Sequence, residues 1–373
     1  MIYLDYAANT PTSRRVLECF MNETIEYEAN PNSDHVKGRL AKKRMEEITK
    51  DIAGYFHVKP SEIIYTSGAS ESNNLAIKGI SSIYKNKGKH MISTCLEHSS
   101  VSGAFTVLQN QGYEIDLVDI LPSGQVDLEH LEELLREDTI LVSICYVDSE
   151  LGVEQPIQEI AKLLKKYPSC HFHVDATQAI GKIEVNFEDI DCVSFTPHKF
   201  YGINGSGILI NKESTVLEPL IHGGSSTTIY RSGTPSIAMA AALKEAISLV
   251  NDNRKKQSEQ VLSLNKQLKN SLMKYPLVRI NSTNYSVPHI LNISVKGVKG
   301  VKFQEALSEK GICVSVKSAC SVTNTPSRPV YAVTKDKKNA LCSWRISLSY
   351  LTTKTEIEEF LVAFDECYKN LTK

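Results

Sequence analysis

The sequence predicts an α/β protein in which a large domain with a mostly parallel sheet precedes a smaller α+β domain. The chain has 373 residues, enough for about two domains with a sizeable core. Short β-branched runs alternate with helical patterns from about Ser61 to Leu209, which is typical of a parallel sheet covered on both faces by helices. From about residue 255 the pattern changes to a long polar helix followed by separated strands.

Short apolar runs predict the strands of the large domain. They are Ile63-Ile64-Tyr65 and residues 140–144, 171–174, 192–195 and 207–210. Runs of this length, bounded by turn residues, are expected of buried strands. The first run precedes a helix that carries Leu75, Ala76, Gly79 and Ile80, and the second precedes a helical stretch near residues 157–166.

The C-terminal third predicts fewer strands and longer helices. We expect a polar helix over residues 257–274, strands over 289–295, 312–316 and 344–348, and a helix near 301–310. In the closing helix Thr353 and Glu356 have the spacing of a capping box, ahead of an apolar stripe that includes Ile357 and Phe364. The predicted division is an N-terminal segment (1–15) packed with the small domain, a large domain (16–254) and a small domain (255–373).

Composition excludes several classes of protein. With 42 Lys and Arg against 43 Asp and Glu, the net charge is −1, which argues against a direct nucleic-acid binder. No apolar run approaches the ~18 residues of a membrane helix, and no signal-peptide pattern opens the chain. The nine cysteines are odd in number and form no C-x-x-C pair, so we expect a reduced, cytoplasmic protein.

A first candidate site is the small-residue turn 66–74, between a predicted strand and a predicted helix. Free backbone N–H groups at a helix start, with hydroxyls beside them, form an anion site, and Gly68 allows a ligand to approach the backbone closely. Taken alone, this turn is also compatible with an ordinary capped connection.

A second candidate is the pattern His171-x-His173-x-Asp175. Alternate residues of a strand share a face, so these side chains could hold a metal ion in a metal-dependent hydrolase. In the other interpretation both histidines pack in the sheet, and Asp175 faces a ligand crevice at the carboxyl end of a parallel strand.

A third candidate is Lys199, in an aromatic and glycine-rich turn just after a predicted strand. A desolvated lysine near a cofactor can lose its proton and form a Schiff base. An anion-binding turn, an aspartate and such a lysine together are the parts of a pyridoxal phosphate site. A carboxylate beside the pyridine nitrogen keeps that nitrogen protonated.

The sequence resembles the cysteine desulfurases, class V members of the fold-type-I pyridoxal phosphate enzymes. The match runs nearly end to end and implies their fold, a large domain with a seven-stranded sheet plus a small domain. The motifs that carry the resemblance are residues 3–8, 10–11, 30–35 with Gly38, 66–74, Glu97-His98, 175–178, His198-Lys199 with Tyr201-Gly202, 231–234 and 318–321.

The resemblance implies how pyridoxal 5'-phosphate is held. Lys199 would bind its aldehyde covalently, Asp175 would pair with the pyridine nitrogen, and Gln178 would reach the phenolic oxygen. His98 would stack on the ring and assist proton transfers. The phosphate would be held by Ala69, Ser70, Thr196, His198 and, from the partner subunit of a homodimer, Thr234.

The resemblance also implies the substrate and the chemistry. Arg345 would clamp the carboxylate of L-cysteine, a task suited to a guanidinium, and Asn30 would lie near that carboxylate. Cys320 would be the nucleophile that takes the substrate's sulfur as a persulfide, releases alanine and passes the sulfur to an acceptor protein. The implied reaction requires no metal ion.

Cys320 also differs from the other cysteines on sequence grounds. It lies in residues 317–329, which are rich in small, hydroxylated and proline residues and predict an exposed loop. Cys145 and Cys192 lie in strand-like runs, and Cys367 lies in the closing helix. A thiol carried by such a loop can reach a cationic site that raises its thiolate fraction.

Three positions depart from the family's pattern. Ser149 stands where a second asparagine usually contacts the phenolic oxygen; its hydroxyl can donate the same bond over a shorter reach. Lys317 replaces a glycine before Ser-Ala-Cys, and residues 223–228 replace a segment that normally carries Gln-Glu. These changes suggest a specialised member whose sulfur acceptor differs from that of the housekeeping iron–sulfur pathway.

Several alternatives stay open at this point. Within the same cofactor class they are a selenocysteine lyase, a cysteine or cystine lyase, and another class V aminotransferase. From a different class comes the metal-dependent hydrolase at His171, His173 and Asp175. A catalytically weak scaffold in a sulfur-transfer complex is the third, and the pathway served could be iron–sulfur assembly or tRNA thiolation.

Overall fold

Helices and strands alternate along most of the chain. The computed structural model describes residues 1–224, 226–317 and 325–373. In these ranges the helices are α1 (Arg14–Glu26), α2 (Val36–Tyr55), α3 (Ala69–Tyr84), α4 (Ser99–Asn110), α5 (Leu128–Leu134), α6 (Ile157–Leu164), α7 (Ile237–Leu272), α8 (Gly300–Glu309), α9 (Arg328–Thr334), α10 (Lys337–Cys342) and α11 (Lys354–Leu371). The strands are β1 (Ile2–Tyr3), β2 (Ile63–Thr66), β3 (His90–Ser93), β4 (Glu114–Leu117), β5 (Thr139–Cys145), β6 (His171–Asp175), β7 (Cys192–Phe195), β8 (Gly207–Asn211), β9 (Val278–Ile280), β10 (Ile290–Val295), β11 (Ile312–Cys313) and β12 (Ser343–Ser347).

The central sheet has seven strands in the order β2-β8-β7-β6-β5-β3-β4. Strand β8 is antiparallel to both of its neighbours, and the other pairs are parallel. The predicted mostly parallel α/β sheet is therefore confirmed. Because β2, β3, β5, β6 and β7 run in the same direction, the turns that follow them meet at one edge of the sheet, where ligands bind in such folds.

Both faces of this sheet are buried. Adjacent residues such as Ile63 and Ile64, or Leu141 and Val142, belong to two different apolar clusters, one on each face. This burial on two sides explains why the strands read as continuous apolar runs instead of alternating ones. No helix in the described ranges is long and apolar enough to cross a bilayer.

The C-terminal part contains two small sheets. One is antiparallel in the order β12-β10-β9, and the other pairs β1 with β11 in parallel. Ile2 and Leu4 lie in the same buried cluster as Trp344 and Phe364. The first residues of the chain therefore pack against its last third, which brings the N-terminal segment close to β12.

Two predicted elements have different bounds in the structure. The polar helix expected over 257–274 is the second half of α7, a 36-residue helix whose first half is rich in buried alanines, so the predicted boundary at 254 lies inside a continuous helix. The strand expected over 312–316 ends at Cys313, and Ser315 forms an isolated bridge with Arg345.

Candidate active site

Most of the predicted site residues line one cavity of about 470 Å³ at the carboxyl edge of the central sheet. This volume is within the range of small-molecule sites. The turns after β2, β3, β5, β6 and β7 contribute to its wall, together with Ala7, Ala8 and Asn9 from the N-terminal segment. The predicted residues found there are Ala69, Ser70, His98, Ser149, Asp175, Gln178, Thr196, His198, Lys199 and Arg345.

Lys199 ends a single turn of 3-10 helix (Pro197–Lys199) that follows β7. Its Nζ donates to the carbonyl oxygens of Ala7 (3.1 Å) and Ala8 (2.6 Å). The turn is tight because a Cβ on Gly202 would lie 2.3 Å from the Cβ of Pro197. The lysine is therefore held at the wall of the cavity by the N-terminal segment, a contact that the sequence does not predict.

Asp175 ends β6, and both of its carboxylate oxygens accept hydrogen bonds. Oδ1 accepts from the backbone N–H of Thr177 (3.0 Å), and Oδ2 accepts from Nδ2 of Asn73 (2.8 Å). Asn73 is fully buried on α3. These two donors fix the carboxylate at the end of β6, where it can pair with a pyridinium nitrogen.

A short hydrogen-bonded chain connects Asp175 to His98. Nδ2 of Asn73 also donates to Oγ of Ser100 (2.9 Å), and that oxygen lies 2.8 Å from Nδ1 of His98. No motif in the sequence indicates a role for Asn73 or Ser100 individually. The only available signal was the position of Asn73 inside the small-residue turn, and Ser100 had none.

His98 is the N-cap residue of α4, and its Nδ1 accepts from the backbone N–H of Ser100 (3.2 Å). Since Nδ1 is an acceptor, the proton of the neutral ring is on Nε2. Burial lowers the pKa of His98, and the neighbouring Asp175 partly opposes that shift. The neutral ring is thus the favoured form near pH 7.

The turn after β2 forms the anion site. Gly68 is the N-cap of the 16-residue helix α3, and the backbone N–H groups of Ala69 and Ser70 have no partner within the helix. A Cβ on Gly207 would lie 2.6 Å from the Cα of Gly68, so this turn packs directly against β8. N–H groups and the helix dipole together favour a bound phosphate here.

Thr196 and His198 line the same cavity as Ala69 and Ser70. Oγ1 of Thr196 donates to the carbonyl oxygen of Ser206 (2.8 Å) and lies 2.9 Å from Nδ1 of His198. Burial lowers the pKa of His198 to about 4, with smaller contributions to that shift from Lys199 and Lys182. An anion at this site would oppose that shift.

Arg345 enters the cavity from β12 and is almost fully buried. Its Nη2 pairs with Oδ1 of Asp5 (2.9 Å), and its Nη1 donates to the carbonyl oxygen of Ser149 (2.6 Å). Its Nε has no hydrogen-bond partner among the described residues. The guanidinium is positioned by the N-terminal segment and by the turn after β5, and it can accept a further anion.

Two of the predicted site residues do not line this cavity. Asn30 and Thr234 line a second hollow, formed by the end of α1 and the start of α7. Within one chain the structure does not bring Asn30 to Arg345, because the turn after α1 packs against the segment before α7 instead. A role for either residue at the cavity stays a prediction.

Cys320, the predicted nucleophile, lies outside the described residues. So does Ser225, in the segment 223–228 that differs from the family's pattern. Lys317 comes directly before positions 318–324, which are also outside the described residues, and Thr325 comes directly after them. Nζ of Lys317 donates to the carbonyl oxygen and to Oγ1 of Thr325 (both 2.7 Å). The eight cysteines in the described ranges are free thiols.

The histidines of the alternative metal site have other partners. Nδ1 of His173 lies 2.8 Å from Oγ of Ser143, and its Nε2 lies 2.9 Å from Oγ of Ser194. His171 packs against the ring of Tyr84, with 4.2 Å between the ring centroids. Within the described ranges no three His, Cys, Asp or Glu side chains are grouped to hold a metal ion, so the hydrolase interpretation has no support.

The cavity fits pyridoxal phosphate. It combines an N–H-rich anion site at α3, a carboxylate at Asp175 and a lysine at Lys199, which match the phosphate, the pyridine nitrogen and the aldehyde. Oγ1 of Thr177, next to Asp175, is buried and has no hydrogen-bond partner in the described part of the chain. A bound group would satisfy such an atom.

The comparisons with known proteins agree with this geometry. The family model described as aminotransferase class-V matches residues 2–360. A "NifS/IcsS protein homolog" of Lactobacillus delbrueckii subsp. bulgaricus is 35% identical over 100% of this chain and 98% of its own length. The "Cysteine desulfurase IscS" of Dictyoglomus turgidum is 36% identical over 99% and 95%.

Solved structures show the same fold. A "NifS-like protein" superposes with a TM-score of 0.93 at 32% identity, covering 99% of this chain and all of that one. A structure described as "SspA in complex with cysteine" has a TM-score of 0.82 at 30% identity, covering 95% of this chain and all of that one. The chain belongs to the aminotransferase class-V family and, within it, to the pyridoxal phosphate-dependent cysteine desulfurases.

Proposed function

We propose that the protein converts L-cysteine to L-alanine and transfers the sulfur, through a persulfide on Cys320, to an acceptor thiol. The observation that carries this proposal is the meeting of Lys199, Asp175, His98 and Arg345 in one cavity. The relatives named as cysteine desulfurases, and the structure described as a complex with cysteine, support L-cysteine as the substrate.

Arg345 would bind the substrate carboxylate. Its guanidinium is already neutralised in part by Asp5, and its Nε still lacks a partner among the described residues. A planar guanidinium binds a carboxylate through parallel hydrogen bonds. This contact would orient the Cα–H bond of the substrate toward Lys199 and His98.

Bound pyridoxal phosphate would supply an electron sink for the electrons of the broken Cα–H bond. Lys199 would take that proton. Its Nζ lies at the wall of the cavity, where it donates hydrogen bonds to the carbonyl oxygens of Ala7 and Ala8. The ring of His98 is oriented by the hydrogen bond that its Nδ1 accepts from the backbone N–H of Ser100, and it would stack on the cofactor and assist proton transfers. Asp175 would keep the pyridine nitrogen protonated, which makes the sink effective.

Cys320 would then attack the substrate sulfur as a thiolate. The bond between Cβ and sulfur breaks, the sulfur stays on Cys320 as a persulfide, and protonation of the remaining fragment yields alanine. The acceptor's thiolate removes the outer sulfur atom and regenerates the Cys320 thiol. This assignment rests on the sequence motif that contains Cys320.

The test is to incubate the purified protein with L-cysteine and pyridoxal phosphate, measure alanine and locate the persulfide by mass spectrometry. We expect yellow protein, cofactor fixed to Lys199 after borohydride reduction, and a persulfide on Cys320. Cys320→Ser should abolish alanine formation, whereas the control Cys19→Ser should not. Full alanine formation in Cys320→Ser would refute the persulfide route. Colourless protein would refute the assignment of pyridoxal phosphate as the cofactor.

Parallel assays separate the related activities. A selenocysteine lyase would release alanine from L-selenocysteine in preference to L-cysteine, and a cysteine or cystine lyase would release pyruvate. An aminotransferase would need a keto-acid acceptor. Alanine from L-cysteine, formed without a keto acid, fits only the desulfurase.

We propose a homodimer as the functional unit. Thr234 would reach the phosphate from the partner subunit, which fits its position away from the cavity of its own chain. Exposed apolar side chains on α1 and at the start of α2 offer a surface that a second copy would cover: Leu17, Met21, Ile25, Val36 and Leu40. Light scattering should give twice the 41.5 kDa mass of the chain.

We propose a cytoplasmic protein whose acceptor differs from the scaffold of the housekeeping iron–sulfur pathway. The departures at Ser149, Lys317 and residues 223–228 support this. The test compares sulfur transfer to a standard iron–sulfur scaffold protein, to a tRNA-thiolation carrier and to dithiothreitol. Transfer to the standard scaffold at the usual rate would overturn the proposal of a different acceptor, and cell fractionation tests the location.

A further inference from the structure

Lys182 is a buried lysine behind the cavity, in the turn that follows β6, and the proposed reaction does not use it. The residue is 8% exposed. Its Nζ donates to Oε1 of Gln178 at 2.6 Å. Among the described residues no carboxylate forms an ion pair with it. A buried amine without a carboxylate is costly, so the hydrogen bond to Gln178 is important for holding this amine in place.

The charged neighbours of Lys182 are cations. Lys199 and Arg345 both lower its pKa, in addition to the effect of burial. The small cavity at Lys182 is also lined by His289 and by the hydroxyl-bearing Tyr6, Tyr201 and Tyr350. His289 is buried, and burial lowers its pKa to about 3. Gln178 is therefore the polar partner that defines the position of the Lys182 amine.

Two partners require the same orientation of the Gln178 amide. The carbonyl oxygen of Ala7 can only accept, and Nε2 of Gln178 donates to it at 2.9 Å. The Lys182 amine donates to Oε1 from the other side. The amide nitrogen carries two hydrogens, and one of them is used by Ala7. The second hydrogen is available to the cavity that Gln178 lines.

The same carbonyl oxygen of Ala7 also accepts from Nζ of Lys199 at 3.1 Å. Ala7 thus holds the cofactor-binding lysine and the amide of Gln178 at one point. If the amide turned over, its oxygen would face the Ala7 carbonyl, and two acceptors would repel each other. Lys182 opposes this reversal because its amine would then lose its acceptor.

We propose that Lys182 is a positioning residue, which fixes the Gln178 amide with an N–H turned toward the phenolic oxygen of pyridoxal phosphate. The proposal rests on the cofactor site of the proposed function. A hydrogen bond to the phenolic oxygen stabilises its anionic form. Lys182 would thereby set the pH at which the cofactor bound to Lys199 changes its absorption spectrum.

The test is a pH titration of the visible absorbance of the holoenzyme, in the wild type and in Lys182→Met, Gln178→Ala and the double variant. We expect Lys182→Met to raise the midpoint pH by about half a unit or more. We expect Gln178→Ala to raise it by at least as much. In the double variant the midpoint should equal that of Gln178→Ala, because Lys182 acts through Gln178.

Lys269→Met is the matched control, since Lys269 is a half-buried lysine whose pKa is also lowered, by burial alone. It should leave the midpoint unchanged. Lys182→Gln keeps a donor at this position and serves if Lys182→Met does not fold; its shift should be smaller than that of Gln178→Ala. Measurement of alanine formation by the wild type separates the proposed function from this inference.

Two results would overturn the role of Lys182. An unchanged midpoint in a folded Lys182→Met protein would show that the amide needs no such anchor. An equal shift from Lys182→Met in the wild-type and Gln178→Ala backgrounds would show that Lys182 acts through its own charge. Either result can be obtained whether or not the wild type proves to be a desulfurase, because the titration reads the bound cofactor.

Discussion

Asp5 and Arg345 form a partly buried ion pair between the N-terminal segment and β12, with 2.9 Å between Oδ1 and Nη2. Oδ2 of Asp5 accepts a second hydrogen bond from Oγ of Ser315 (2.8 Å). The proposed substrate clamp is thus held in place by a residue near the start of the chain.

Asp5→Asn should raise the KM for L-cysteine about tenfold, with a smaller change in kcat. The amide removes the charge that orients the guanidinium but retains most of the shape, and a tenfold change corresponds to about 1.4 kcal/mol. Steady-state kinetics of alanine formation measures both constants. Asp51→Asn is the control because Asp51 pairs with Lys244 at the surface. An unchanged KM would show that Asp5 does not position Arg345.

Gly207→Ala should weaken pyridoxal phosphate binding by about tenfold or more. The added methyl would lie 2.6 Å from the backbone of Gly68 and must displace the anion-binding turn. Equilibrium dialysis of the cofactor measures the dissociation constant. The control Gly103→Ala places a methyl in open space on α4, where it should stabilise the helix by roughly 0.5–1 kcal/mol. Wild-type affinity in Gly207→Ala would contradict the close packing of this turn.

His98→Gln should lower kcat by about 100-fold while the protein retains its cofactor, because a glutamine cannot shuttle a proton. Burial lowers the pKa of His98, so the wild-type ring stays neutral near pH 7. Protonation of His98 should therefore decrease kcat only below pH 6.5. A profile of kcat against pH measures this decrease. His130→Gln, at a partly exposed histidine near Asp119, is the control. A profile unchanged by His98→Gln would exclude the proposed proton transfer.

Glu97→Gln should change how stability depends on pH. Burial raises the pKa of Glu97 from 4.5 to about 8. Between these values the unfolded chain has lost the proton that the folded chain keeps, so the wild type should lose up to about 1.4 kcal/mol per pH unit as the pH rises. Glu97→Gln should not show this loss. Its free energy of unfolding should therefore exceed that of the wild type by the largest amount at about pH 8 and above.

Urea unfolding of both proteins at pH 5, 6.5 and 8 measures this difference. The glutamine oxygen can keep the bonds that Oε1 accepts from Thr94 and from the backbone N–H of Cys145. Parallel stability curves for the two proteins would show that Glu97 is ionised in the folded state near neutral pH.

The sheet was largely predictable because its strands are buried on both sides. The runs at 63–65, 192–195 and 207–210 agree with β2, β7 and β8 to within a residue. By contrast, β9 (Val278–Ile280) is not fully buried and has no apolar run to mark it. The edge strand β4 is polar and exposed in part, and it too was not predicted. The buried strand β3 was also missed, because its four residues include only two apolar ones between His90 and Ser93. Local patterns report burial, and strands with little burial leave a weak signal.

The sequence predicted individual residues of the site but not the contacts between them. Lys199, Asp175 and His98 were identified from motifs, and they do line one cavity. Asn73, Ser100 and Lys182 were assigned no role, because a buried amide, hydroxyl or lysine has no recognisable motif. Within its own chain Asn30 lies beside the start of α7, so its place near the substrate carboxylate stays a prediction.

By itself the sequence determined the class of fold, the order of the motifs and the residue types that the chemistry needs. The tertiary structure alone decided that Asp5 meets Arg345, that Ala7 holds both Lys199 and Gln178, and that Lys182 lies behind that amide. The physical reason is that periodicity records which side of a local element is buried. Contacts between residues far apart in the chain depend on strand order and on backbone position, which no local pattern contains.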